Sequence, residues 1–99
     1  MALRVDIHSD ARAEAAAATE WYRAEAGEDV ALRFTARVRD ALQVTAEWPR
    51  RAPVRADGSR ALRVDDFPYV VLYDLHDDHV LVLAFAHTSR EPGYWRDRR

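Results

Sequence analysis

The sequence predicts an α+β protein with the element order β-α-α-β-β-β, in which an antiparallel helical hairpin packs on an antiparallel sheet. Apolar residues recur at helical spacing across residues 9–47. They alternate with polar residues across residues 3–7 and again beyond residue 60, as in half-buried strands. A length of 99 residues suits one domain and is too short for two, so we expect a single domain over residues 1–99.

The first half of the chain is predicted to form one strand and two helices. The strand covers residues 3–7, and Ser9 and Asp10 follow it as candidate N-caps of the first helix. Gly27 is a natural helix stop, and the acidic residues directly after it favour the start of a second helix. Helices joined by about two residues must fold back on each other as an antiparallel hairpin.

The second helix and the strands after it are defined by apolar patterns. The apolar stripe of the helix consists of Val30, Phe34, Val38 and Leu42. The helix is predicted to end at Trp48 because Pro49 disfavours helical geometry in the residue before it. A basic loop follows over residues 49–59, and then three strands over residues 61–65, 69–75 and 79–87. The last strand is apolar on both faces, so we expect it to be central in the sheet.

Charge is distributed unevenly along the chain, whose net charge is −2 at pH 7. Residues 48–63 carry five Arg and one acid, and residues 90–99 carry four Arg and two acids. Residues 64–89 carry five acids and no Arg or Lys. Two basic patches are therefore expected on an acidic body. All basic residues other than His are Arg, which suits carboxylate and phosphate partners, although a GC-rich genome also accounts for the lack of Lys.

Composition argues against several classes of protein. The chain has no Cys, and so no disulfide framework or thiolate site, and it has no apolar run long enough to span a membrane. It lacks a Gly-rich phosphate loop and a serine nucleophile motif. His76 and His79 flank an acidic turn that would hold a metal ion only weakly. We expect no metal, no cofactor, no signal peptide and a cytoplasmic location.

The candidate binding residues cluster at the end of the predicted sheet. They are Arg60, Arg63, His87, Arg90, Tyr94 and Trp95. If Arg63 and His87 share a face, this cluster would bind a phosphate or a carboxylate-bearing peptide. In the alternative interpretation, Arg90 satisfies loop carbonyls and Trp95 covers the edge of the sheet.

A second candidate surface lies on the second helix. Arg33 and Arg37 are one helical turn apart and would form a row of cations for an acidic partner. Asp40 lies three residues beyond Arg37, and an ion pair within the helix is an equally good interpretation.

Short motifs along most of the chain carry a family resemblance. The helices contain ATEWY at residues 18–22, RF at 33–34 and WP at 48–49. The strand region contains RALR at residues 60–63, FPY at 67–69 and AHTSREPGYW at 86–95. The distance between FPY and the last motif is the most specific feature. Together these motifs resemble the RelE/ParE superfamily of type II toxin–antitoxin toxins, on its ParE-like branch.

The resemblance implies a small bacterial toxin, associated with growth inhibition and plasmid stabilization, in a hetero-oligomeric complex with a cognate antitoxin. Such an antitoxin is short, with a DNA-binding N-terminal part and a helical C-terminal tail. ParE-like members are associated with poisoning DNA gyrase, whereas RelE-like members cut mRNA on the ribosome. The superfamily shares one fold, so the fold cannot separate these activities.

The charge pattern favours gyrase poisoning over RNA cleavage. Residues 64–89 would repel RNA because phosphate contacts dominate nucleic-acid affinity. We therefore predict no catalytic residues, and contacts to target or antitoxin through Arg33, Arg37, Arg60, Arg63, His87, Arg90 and Trp95. A ribosome-dependent ribonuclease would instead have to use Arg63, His87, Arg90 and Tyr94. A non-toxic relic that still binds antitoxin is a third possibility.

Overall fold

The structure, a computed structural model, describes residues 2–99. Its elements are β1 (Arg4–Ile7), α1 (Ser9–Ala26), α2 (Glu28–Glu47), β2 (Arg60–Arg63), β3 (Tyr69–Leu75), β4 (His79–His87) and a short 3₁₀ helix (Arg96–Arg98). The α+β class and the element order β-α-α-β-β-β of the structure confirm the predicted class and order. No helix within residues 2–99 has the length and apolar character needed to cross a membrane.

The start of α1 differs from the prediction by one residue. His8 is the N-cap, and its Nδ1 accepts a hydrogen bond from the backbone N–H of Asp10 at 3.1 Å. Ser9 and Asp10, the predicted caps, are already helical. The backbone N–H of His8 donates to the carbonyl of Val82 at 2.9 Å, so His8 still belongs to the extended chain and the helix begins after it.

The helical hairpin turns at a single residue. Gly27 ends α1 as predicted, and its φ of 98° lies in the left-handed region that favours glycine. The second helix begins at the next residue, so the helices can only run antiparallel. Helix α2 ends at Glu47, and Trp48 is its C-cap directly before Pro49, close to the predicted end. The backbone N–H of Trp48 donates to the carbonyl of Val44 at 2.8 Å.

The four strands form a mixed sheet in the order β1-β4-β3-β2. Strands β2, β3 and β4 form the predicted antiparallel meander, and β1 adds to its edge in parallel with β4. Strand β4 is therefore central, as its apolar composition predicts. Strand β2 ends at Arg63, earlier than predicted, because a turn follows in which Asp66 has a φ of 70°.

A β-bulge interrupts the pairing of β3 with β4. Leu72 lies opposite Ala84, whereas the next residue of β3, Tyr73, lies opposite Val82. Leu83 is therefore the extra residue of β4. The neighbour on its other side, β1, pairs with β4 only as far as Val82, so residues 83–87 form an edge beyond the end of β1.

The sheet has an apolar core on each face. On the helix face, the Phe34 ring lies 5.0 Å from the rings of both Tyr22 and Phe67. On the opposite face, the C-terminal tail (residues 90–99) packs on the sheet through Trp95, which is only 4% exposed. The protein therefore has three layers: the helices, the sheet and the tail.

An ion pair between α1 and the tail crosses the edge formed by residues 83–87. The Arg98 guanidinium donates to both carboxylate oxygens of Glu14, at 2.9 and 3.2 Å, and these side chains are 14% and 16% exposed. Arg98 also donates to the Leu83 carbonyl at 3.0 Å, and Glu14 accepts from the backbone N–H of Phe85 at 3.2 Å. The pair thus joins helix, bulge and tail.

The last residue provides a second anchor for the tail. The Arg99 guanidinium donates two hydrogen bonds of 2.9 Å to the carboxylate of Asp74 on β3. Bidentate pairing of this kind fixes orientation as well as position. Two of the four tail arginines therefore hold the tail in place.

Glu14→Ala should lower the free energy of unfolding by about 2 kcal/mol, because it leaves the largely buried Arg98 guanidinium without its carboxylate. Urea denaturation followed by tryptophan fluorescence measures this loss. The control is Glu28→Ala, which removes the exposed partner of Arg23 and should cost less than about 1 kcal/mol. Equal losses in both variants would contradict a stabilising role for the Glu14–Arg98 pair.

Candidate functional site

The register of the sheet separates two of the predicted site residues. Arg63 lies opposite Val70, which packs in the core on the tail face. His87 lies opposite Tyr69, which packs in the core on the helix face. Residues directly opposite each other point to the same face of a sheet, so Arg63 and His87 point to opposite faces. The single patch that would require them to share a face is therefore not formed.

Two other predicted binding arginines have structural partners. Arg60 donates to the carbonyl of Ala52 at 2.6 Å and so supports the basic loop. Arg37 pairs with Asp66 at 2.9 Å and with Asp40 at 3.2 Å. The ion pair between Arg37 and Asp40, which was the alternative to a row of cations on α2, is therefore present. Arg33 is exposed, and its guanidinium carbon lies 5.8 Å from the centre of the Phe67 ring.

Trp95 is not available to a partner in this structure. Its ring is buried against the sheet, and the guanidinium of Arg55 lies 5.5 Å from the ring centre. This burial favours packing over a contact with target or antitoxin, which stays a prediction. The packing interpretation describes its position.

His87, Arg90 and Tyr94 do come together, in a groove between α1 and the β4 edge. We call this hollow of about 340 Å³ the α1–β4 groove. Its lining residues are Glu14, Ala17, Ala18, Trp21, Tyr69, Phe85, His87, Arg90 and Tyr94. The groove combines small and aromatic side chains from the helix with polar side chains from the end of the sheet.

Trp21 is the groove residue that the sequence analysis missed as a functional candidate. Its side chain is 58% exposed, which is unusual for an indole, and its ring meets the Tyr22 ring edge-on at 5.1 Å. In α1, a stripe with helical spacing is formed by Ala11, Ala15, Ala18 and Tyr22, and Trp21 lies beside it. A large aromatic residue in that position borders the core without entering it.

The hydrogen bonds of His87 define its tautomer. Its Nδ1 accepts from the backbone N–H of Ser89 at 3.0 Å and lies 2.7 Å from the Ser89 hydroxyl. A nitrogen that accepts from a backbone N–H carries no proton, so in the neutral ring the proton is on Nε2. The free nitrogen of His87 is therefore a donor in this arrangement.

Tyr94 is a packing residue at the groove wall. Its hydroxyl is buried without a hydrogen-bond partner among residues 2–99. Burial, with a smaller contribution from the neighbouring Glu14 carboxylate, raises the pKa of Tyr94 to about 12. The guanidinium of Arg90 lies 3.9 Å from the centre of its ring and that of Arg98 lies 5.1 Å from it.

The groove is therefore suited to binding. Arg90 is exposed and lies 3.9 Å from Glu14 Oε2, so it places positive charge at the rim. The floor is apolar at Phe85 and Ala18. Within residues 2–99, no three His, Asp or Glu side chains are grouped so as to hold a metal ion.

Comparison with known proteins agrees with this architecture. Residues 5–92 match the family described as "ParE toxin of type II toxin-antitoxin system, parDE". The fold is similar to a solved chain described as "Chromosomal ParDE TA system from P. aeruginosa", with a TM-score of 0.75 and 15% identity over 86% of this chain and 95% of that chain. No protein of curated function matches the sequence significantly. Because the family match covers most of the chain, this protein belongs to the ParE toxin family of type II toxin–antitoxin systems, as the sequence motifs predict.

Proposed function

We propose that this ParE-family toxin inhibits bacterial growth in the cytoplasm by binding and poisoning DNA gyrase, and that a cognate antitoxin neutralises it. Membership of the family supports the toxin role. The choice of gyrase over RNA rests on one observation: the side chains that a ribonuclease would use are not arranged for acid–base chemistry. The two alternatives predict different products, so they can be separated by experiment.

Cleavage of RNA needs a base near the 2′-hydroxyl, an acid for the leaving oxygen and cations around the phosphate. The Tyr94 hydroxyl is buried and so is out of reach of a substrate, and burial raises its pKa to about 12, which makes it a weaker acid. His87 presents a donor, because Ser89 occupies its other nitrogen. Arg63 points to the opposite face from His87. These side chains do not form one catalytic group.

The charge of the central strands supports the same choice. Strands β3 and β4 span residues 69–87, a region that has Asp and His but no Arg or Lys. Affinity for ribosomal RNA comes mainly from cations that neutralise phosphates. A surface built on these strands favours a protein target over RNA.

The antitoxin is proposed to dock in the α1–β4 groove with an apolar and acidic helical segment. The groove offers the exposed indole of Trp21 and the apolar floor at Phe85, and Arg90 at the rim suits an acidic side chain. A helical tail that is disordered when free would bury these apolar groups to offset its loss of entropy. The resulting complex is a hetero-oligomer of toxin and antitoxin.

Purified toxin should inhibit supercoiling by gyrase and increase gyrase-dependent DNA cleavage, because the proposed target is the enzyme itself. Gel assays on plasmid DNA measure both effects. Growth arrest on induced expression, with no new mRNA ends, is expected in cells. Codon-spaced mRNA breaks with unaffected gyrase would contradict the proposal, and normal growth would indicate a non-toxic relic.

Tyr94→Phe should retain growth inhibition at the wild-type level, because the hydroxyl it removes is buried and without a hydrogen-bond partner. Growth curves at matched expression measure this, and circular dichroism checks folding. A ribonuclease that used this hydroxyl for proton transfer would lose about 100-fold or more in activity. Loss of toxicity in a folded Tyr94→Phe protein would therefore count against gyrase poisoning.

Trp21→Ala should weaken the toxin–antitoxin complex at least about tenfold, because exposed aromatic anchors dominate interface energies. Isothermal titration calorimetry with the cognate antitoxin measures the change. Leu32→Ala is the matched control, since Leu32 is also 58% exposed but lies on α2 outside the groove. If both variants bind alike, the α1–β4 groove is not the docking site.

A further inference from the structure

The loop after α2 carries an exposed indole beside two cations. We call residues 48–55 the Trp48 loop. Trp48 is 63% exposed, more than the other exposed large apolar side chains of residues 2–99. It lines a surface hollow of about 430 Å³ together with Glu47, Pro49, Arg50 and Arg51. With most of its surface exposed, this indole is accessible to a stacking partner.

Two of the three cations of this loop, Arg50 and Arg51, have no carboxylate partner in the described part of the chain, whereas Arg55 lies against the Trp95 ring. Within residues 2–99, Arg50 and Arg51 form no ion pair with an acidic side chain, in contrast to Arg98 and Arg99 of the tail. The one acid of the hollow is Glu47, whose carboxylate accepts a hydrogen bond from Gln43 Nε2 at 2.8 Å. Two arginines and one glutamate therefore give the hollow a net positive charge.

The backbone of the loop is held in place. The buried Tyr73 side chain donates from its hydroxyl to the Pro49 carbonyl at 2.7 Å, and Arg60 donates to the Ala52 carbonyl at 2.6 Å. Ala52 itself is 4% exposed, so the middle of the loop is anchored in the core. Side chains on a fixed backbone lose less entropy when they bind a ligand.

We propose that the Trp48 loop binds single-stranded nucleic acid, with one base stacked on Trp48 and the neighbouring phosphates paired with Arg50 and Arg51. Single strands bind to aromatic rings on which bases stack and to cations that contact the backbone, and the Trp48 loop presents one such ring with two arginines beside it. A helical protein partner would instead need several apolar anchors on successive turns, and the hollow contains one large apolar side chain. This binding does not depend on gyrase or on the antitoxin.

The test uses the purified full chain and a fluorescently labelled strand of roughly 15 thymidylates, the upper range for a small binding site. Anisotropy is measured over a series of salt concentrations. Trp48→Ala should weaken binding about fivefold or more through loss of stacking, and Trp48→Phe should retain most of it. The matched control Trp21→Ala removes an indole of similar exposure and should change binding less than about twofold.

The phosphate contacts are tested separately. Arg50→Ala with Arg51→Ala should reduce the slope of log affinity against log salt by about 1.4, as expected for two lost phosphate contacts on a single strand. Arg12→Ala with Arg39→Ala removes the same charge from exposed helical positions and should leave the slope unchanged.

Four outcomes would overturn the inference. They are the absence of saturable binding at low salt, equal losses for Trp48→Ala and Trp21→Ala, equal or tighter binding of the matching duplex, and equal or tighter binding of a polyglutamate peptide. The last outcome would identify the loop as a surface for an acidic protein. Thermal melting of each variant confirms that it is folded before its binding is compared.

Discussion

The ion pair between Glu14 and Arg98 is the constraint on which the rest of this structure depends. Strand β1 pairs with β4 only as far as Val82, and the bulge at Leu83 changes the direction of the edge beyond it. Arg98 donates a hydrogen bond to the Leu83 carbonyl, and Glu14 accepts one from the backbone N–H of Phe85. The ion pair also fixes the tail against α1, so that Tyr94 and Arg90 form one wall of the α1–β4 groove. The groove exists because this edge is closed by side chains and not by another strand.

Arginine has two different roles in this chain, although its charge is the same in both. Arg98 and Arg99 each make bidentate contacts with a largely buried carboxylate, and so their charge is neutralised within the fold. Arg50 and Arg51 lie in the other basic segment and have no such partner within residues 2–99. Arg98 and Arg99 therefore stabilise the fold, whereas Arg50 and Arg51 remain available to a ligand.

Much of the fold could be predicted from the sequence because it depends on local patterns. Strands β3 and β4 have their predicted bounds, since polar turns delimit their apolar runs, and Gly27 ends α1 for a local steric reason. The site was harder to predict because it depends on contacts between distant residues. Whether Arg63 and His87 share a face is decided by strand register, and the burial of Trp95 is decided by how the tail packs.

The parallel pairing of β1 with β4 has a consequence for synthesis of the protein. In this register Arg4 lies beside His79, a separation of 75 positions along the chain. Contacts between such distant positions form slowly, because a long loop must close before they contribute any stability. Helical contacts within the hairpin are local and can form early. During translation, the first strand therefore has to wait until residues 79–82 of β4 have left the ribosome. The complete sheet, and with it any toxicity, arises only after that point.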